Sequence, residues 1–137
     1  MKYKAKKGTR INDKDAQVIG KHFESLGKEI KTEKIVESAT SLKSPIHKYF
    51  EWDDTEAGRL FRLQQARNLM ESLVVDVRVE GQKVEQRAYF SVKTPNSKAY
   101  VSVKVAIEVP DYRKQLLSKA ITLLTNLQVT LRMLREQ

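Results

Sequence analysis

The spacing of apolar residues changes once along this chain, near Leu73, and that change limits the folds open to it. Before Leu73 the apolar residues recur at three- and four-residue intervals. After it, Val75, Val77 and Val79 alternate with Asp76 and Arg78. Glu80-Gly81-Gln82-Lys83 reads as a turn, and Ala88, Phe90 and Val92 then alternate with more polar neighbours. Thr94-Pro95-Asn96-Ser97 is a second turn signal, and Val101, Val103, Val105 and Ile107 alternate again. The pattern predicts a three-stranded antiparallel meander with one buried face. Pro110 and Asp111 open a last helix running to about Arg135, with Leu116, Leu117, Ala120, Ile121, Leu123, Leu124, Leu127, Leu131 and Leu134 as its apolar stripe. The expected class is α+β: an N-terminal helical bundle, the meander, and a long C-terminal helix.

The first half reads as helices. Asn12 is the expected N-cap of a helix over about 13–26 that ends at Gly27. Thr32 is expected to cap a short helix to Ala39. Ser44 and Pro45 then open a turn through Phe50. Asp53, with Glu56 three residues on, is the expected cap of a longer helix over about 54–72, on which Leu63, Ala66, Leu69 and Met70 share a face. Trp52, between the turn and this helix, is expected to be largely buried and to anchor one to the other. This order suits a helix-turn-helix, but the polar loop around Ser41 to Pro45 replaces the usual tight turn, and small helical bundles share the order.

The block from Ser44 carries a recognisable spacing: Ser44, Pro45, His47, Phe50, Glu51, Trp52, Asp53, Asp54, then Ala57, Arg62, Gln65, Ala66, Arg67 and Leu69. It resembles a group of small uncharacterised bacteriophage and prophage proteins. The resemblance covers the N-terminal half and implies a viral or prophage origin. It implies no activity.

A chain of 137 residues fits one domain. The expected division is a mobile basic arm over 1–11 and one α+β domain over 12–137, with a helical part (12–72) and a meander-plus-helix part (73–137). The chain has no Cys and two His, so disulfides, thiolate chemistry and His- or Cys-based metal sites are not expected. His22 reads as an edge histidine. Gly-rich phosphate loops, nucleophile elbows and paired-His motifs do not occur in the sequence, and a non-enzymatic protein without cofactors is expected. No apolar run reaches membrane-spanning length and no secretory signal pattern opens the chain, so a cytoplasmic setting is expected, the host cytoplasm if the chain is viral.

The net charge of +9 points to anionic partners. Lys2, Lys4, Lys6, Lys7 and Arg10 fall within the first twelve residues, which hold no acid. Such an arm suits nucleic acid, or serves only as a solvated tail. Arg59, Arg62 and Arg67 lie on the helix after Trp52. They either contact phosphates or, for the first two, pair with Glu51, Asp53 or Asp54. Arg78, Arg87, Tyr89, Lys93, Tyr100 and Lys104 share the second face of the expected meander, which either stacks bases and tracks a backbone or is simply solvated. The Leu127, Leu131, Leu134 seam either pairs with a second copy or packs on the N-terminal helices. The leading expectation is charge-led nucleic-acid binding by a homo-oligomer. The alternative is a phage assembly or host-protein-binding factor.

Overall fold

A computed structural model describes residues 1–52 and 54–136. The chain runs β1 (Tyr3–Ala5), α1 (Asp13–Ser25), α2 (Thr32–Ala39), a 3-10 turn (His47–Tyr49), α3 (Glu56–Glu71), β2 (Leu73–Val79), β3 (Gln82–Arg87), β4 (Tyr89–Lys93), β5 (Lys98–Ser102), α4 (Val103–Glu108) and α5 (Pro110–Arg135). The α+β class, the helical first half and the long last helix are those expected.

Local signals explain most helix starts. The Asn12 side chain accepts from the Asp15 N–H, and the Asp15 carboxylate reaches back to the Asn12 N–H, a capping box at the head of α1. Lys31, rather than Thr32, is the residue before α2. At α3 the Thr55 hydroxyl accepts from the Gly58 N–H at 3.0 Å. Asp53, expected as that cap, lies outside the described residues.

The strands depart from a single meander. β1, β2 and β3 form one antiparallel sheet, and β4 and β5 form another. The break falls at Ala88, which donates to the Leu73 carbonyl and accepts from the Val103 N–H, so it ties the two hairpins together without continuing the ladder. The third alternating run also ends early. Ser102 accepts from the Val105 N–H at 3.3 Å and caps α4, so Val103, Val105 and Ile107 lie on a helix.

The expected mobile arm is structured at Tyr3–Ala5, where β1 pairs with Leu73–Val75 of β2. Tyr3 is the reason. Its ring is 1% exposed, lies against Gly20 of α1 and stacks on Tyr89 with centroids 6.2 Å apart. Its hydroxyl donates to Glu24 at 2.8 Å. A single buried aromatic of this size offsets the ordering of three residues.

Two apolar clusters lie on the two faces of the β4–β5 hairpin. Tyr89 and Tyr100 join the main core with Tyr3, Phe23, Ile30, Leu69 and Met70. Val92 and Val101 join a second core with Ala106 and Tyr112 of α4 and α5. The expected basic, solvated sheet face therefore does not exist as such: its two tyrosines are interior, and Lys104 stands on α4.

Candidate interaction surfaces

α5 is the element left without a covering. Its first turns are docked: Tyr112 is buried, Gln115 bonds the Lys93 backbone at 2.7 and 2.9 Å, and Lys119 donates to the Ser91 carbonyl at 2.7 Å. From Ala120 to Glu136 every residue is exposed. At ~1.5 Å per residue, 120–135 extends the helix by ~24 Å. The expected packing of this seam on the N-terminal helices does not occur.

The exposed part is apolar. Leu117, Ile121, Leu123, Leu124, Leu127, Val129, Leu131, Met133 and Leu134 are each more than half exposed. All but Val129 and Met133 lie on one side of the helix, and at roughly 100 Å² per side chain these seven present on the order of 700 Å², comparable to the ~800 Å² that each partner contributes to a standard protein interface. The expected seam residues Leu127, Leu131 and Leu134 are thus accessible, and the surface extends back to Leu117. Patches of this size mark interaction sites. No helix among the described residues is long and apolar enough to cross a membrane.

The Ser44–Leu69 motif gathers at one place and does a structural job. His47 stacks on Trp52 at 4.8 Å, with the rings within 10° of parallel. The His47 Nδ1 lies 2.7 Å from the Ala39 carbonyl, and the Trp52 Nε1–H donates to the His47 carbonyl at 3.1 Å. From α3, the Arg62 guanidinium sits 5.3 Å over the Trp52 ring and donates to the Glu51 carbonyl, while the Gln65 Oε1 accepts from the Glu51 N–H. Phe50 and Ala66 are buried beside them. The motif residues thus clasp the segment 47–52 onto α3. Trp52 bridges turn and helix as expected, but at 36% exposure it is not a core residue. Its ring stacks on His47 and carries the Arg62 guanidinium, and the rest of its surface stays in water. Leu60 and Phe61, on the next turn of α3, are also half exposed, and reading the sequence did not single them out.

The basic residues do not collect into one surface. Lys4 is held by Asp76 at 2.9 Å and by Glu85 at 3.8 Å, and the Lys4 ammonium depresses the Asp76 carboxyl below its usual range. Arg59 pairs with Glu56 at 2.9 Å and Arg87 with Glu71 at 3.8 Å. Arg78 bonds the Gly81 carbonyl. Arg67, Lys93 and Lys104 are exposed on three different elements. Lys2, Lys6, Lys7 and Arg10 are exposed, and none is ion-paired with another described residue.

No group of three or more His, Asp or Glu among the described residues converges on a metal-sized site. Two shallow cavities hold about 290 and 220 Å³. One is lined by Lys2, Lys4, Asp76 and Lys83 beside three valines, and there the Asp76 carboxylate pairs with Lys4 and Lys83. The other lies beside Glu24 and Tyr89, whose phenol is raised by burial. No protein family, no curated protein and no solved structure matches this chain.

Proposed function

We infer that this chain is a non-enzymatic self-assembling protein, in which a folded α+β body is joined to further copies through α5. The observation that carries the reading is the uncovered apolar stripe from Leu117 to Leu134. Most helical stability in proteins comes from packing of an apolar face rather than from propensity, and from Ala120 onward α5 packs on nothing among the described residues. Residues 120–135 include five β-branched residues, Ile121, Thr122, Thr125, Val129 and Thr130, which weaken it further. Packing against a partner supplies what the helix lacks.

A salt series on the full chain tests this. Each copy carries +9, so bringing copies together meets like-charge repulsion that salt screens. The mass measured by light scattering should rise, or hold above one chain, as NaCl increases from ~50 to ~500 mM, where the Debye length falls below ~10 Å. A chain of single mass throughout contradicts the reading.

A second reading, charge-led binding of nucleic acid, is favoured by Lys2, Lys6, Lys7 and Arg10, which stand exposed and free of ion pairs with described residues. Its salt response has the opposite sign, because neutralising phosphates releases counterions and affinity falls as salt rises. Gel shifts with duplex, single-stranded DNA and RNA in the same salt series decide it. Binding no tighter than ~10⁻⁴ M at ~50 mM salt counts against it.

A further inference from the structure

Resting on the self-assembly reading above, we propose that α5 enters a bundle of three or four identical helices rather than a two-stranded coil. Leu117, Leu124 and Leu131 recur every seven residues, and so do Ala120, Leu127 and Leu134. These two sets form the a and d positions of a heptad frame over the exposed helix. A repeat in which identical layers recur along one chain is matched best by copies of that chain. A two-stranded coil buries only this narrow seam and keeps the flanking positions charged.

Here the flanks of the central turn are apolar, and the next pair, Gln128 at e and Thr130 at g, is uncharged. Ile121 and Leu123 occupy e and g, and Leu123 is 70% exposed, the most of any residue in the stripe. At 100° per residue the stripe from Leu123 round to Ile121 covers about 160°, well beyond an a/d seam and as wide as a helix with neighbours on two sides requires. Tyr112, Gln115 and Lys119 dock on the body at about 120° from the stripe's centre on the same count, and Leu116, at the stripe's edge, packs there too. From Ala120 onward every described residue is exposed, so the body leaves the stripe open to several copies over that length.

The opposite side of the helix fits enclosure as well. From Ala120 to Leu131 no residue is charged. Three threonine hydroxyls on that side turn back to the helix: Thr122 donates to the Ser118 carbonyl at 3.0 Å, Thr125 to Ile121 at 2.9 Å and Thr130 to Asn126 at 3.0 Å. Their hydrogen-bonding needs are met within the helix, so that side tolerates enclosure without requiring it.

Sedimentation equilibrium of the full chain at ~100 μM, a concentration that reveals micromolar association, tests the proposal with two variants. Wild type should weigh three or four chains. In Ile121→Gln/Leu123→Gln the a and d seam is intact, and the mass should fall. Leu124→Glu should weigh one chain. None of these side chains touches the body, so the body's circular dichroism reports that folding is retained. A wild-type mass of two chains, a polydisperse aggregate, or a double variant of unchanged mass overturns the bundle while leaving self-association standing. A wild-type mass of one chain overturns both. If that single chain floats with vesicles of anionic phospholipid, the stripe belongs to a lipid surface instead.

Discussion

Substituting Gly20 by Ala separates a structured N-terminus from a mobile one by the sign of its effect. Gly20 is buried within α1, and alanine in a helix interior is favoured over glycine by about 1 kcal/mol. If the first residues were a free arm, Gly20→Ala would stabilise the protein by about that amount. In the structure, a Cβ at Gly20 falls 2.1 Å from Cδ2 and 2.3 Å from Cγ of Tyr3. The ring must move, but Tyr89 stacks on it at 6.2 Å and the pairing of Tyr3 with Val75 fixes its backbone. If the ring squeezes aside, overpacking costs about 1–3 kcal/mol. If β1 detaches, losing the burial of a large aromatic costs about 3–5 kcal/mol. After the helix-propensity gain of about 1 kcal/mol, the net expectation is destabilisation by roughly 0–2 kcal/mol if the ring squeezes aside and roughly 2–4 kcal/mol if β1 detaches. Urea unfolding with an unchanged m-value reads this directly. The double-mutant cycle with Tyr3→Ala sharpens it: once the ring is gone, Gly20→Ala should become neutral or stabilising by up to about 1 kcal/mol. A stabilised Gly20→Ala single variant would falsify the placement of Tyr3.

Trp52→Ala should cost about 1–2 kcal/mol, the worth of its stacking on His47 and Arg62, rather than the ~3–5 kcal/mol of a core aromatic. A loss in the core range would contradict the partly exposed clasp. All five tyrosines have raised phenols: Tyr112 is pushed up to about 12 by its hydrogen bond to Glu29, and Tyr3 higher still by burial and by Tyr89 and Glu24. Because the unfolded phenols titrate near 10, this stability is complete below pH ~10 and is lost as pH rises towards 12 and beyond. Phenolate absorbance near 295 nm should therefore appear together with the loss of circular dichroism. A full complement of phenolate at pH ~10 in a folded protein would refute it.

What was legible in the sequence was what neighbouring residues decide. The capping box at Asn12 and Asp15 lies within four residues of chain, and Pro110 marks the start of α5 unaided. β1 was not legible, because Tyr-Lys-Ala in a basic segment becomes a strand only through Val75 and Gly20, far along the chain. The alternation at Val101–Ile107 was misleading, because Ser102 acts as a cap rather than as an outward strand position. Tyr89 and Tyr100 were placed on a wet face because alternation assumes one buried side, whereas the β4–β5 hairpin is covered on both. The leucine stripe of α5 was plain in the sequence. That nothing among the described residues covers it could be known only from the fold, since periodicity shows an apolar face without showing what it meets.

The self-assembly reading is tested most directly by the mass of the full chain beside that of Leu124→Glu/Leu131→Glu, measured by light scattering at ~100 μM and physiological salt. Both leucines are more than half exposed on α5, so the substitutions disturb no contact within the body. The account predicts a wild type heavier than one chain and a variant of single-chain mass whose body remains folded. A wild type of single-chain mass, or a variant that assembles as the wild type does, contradicts it.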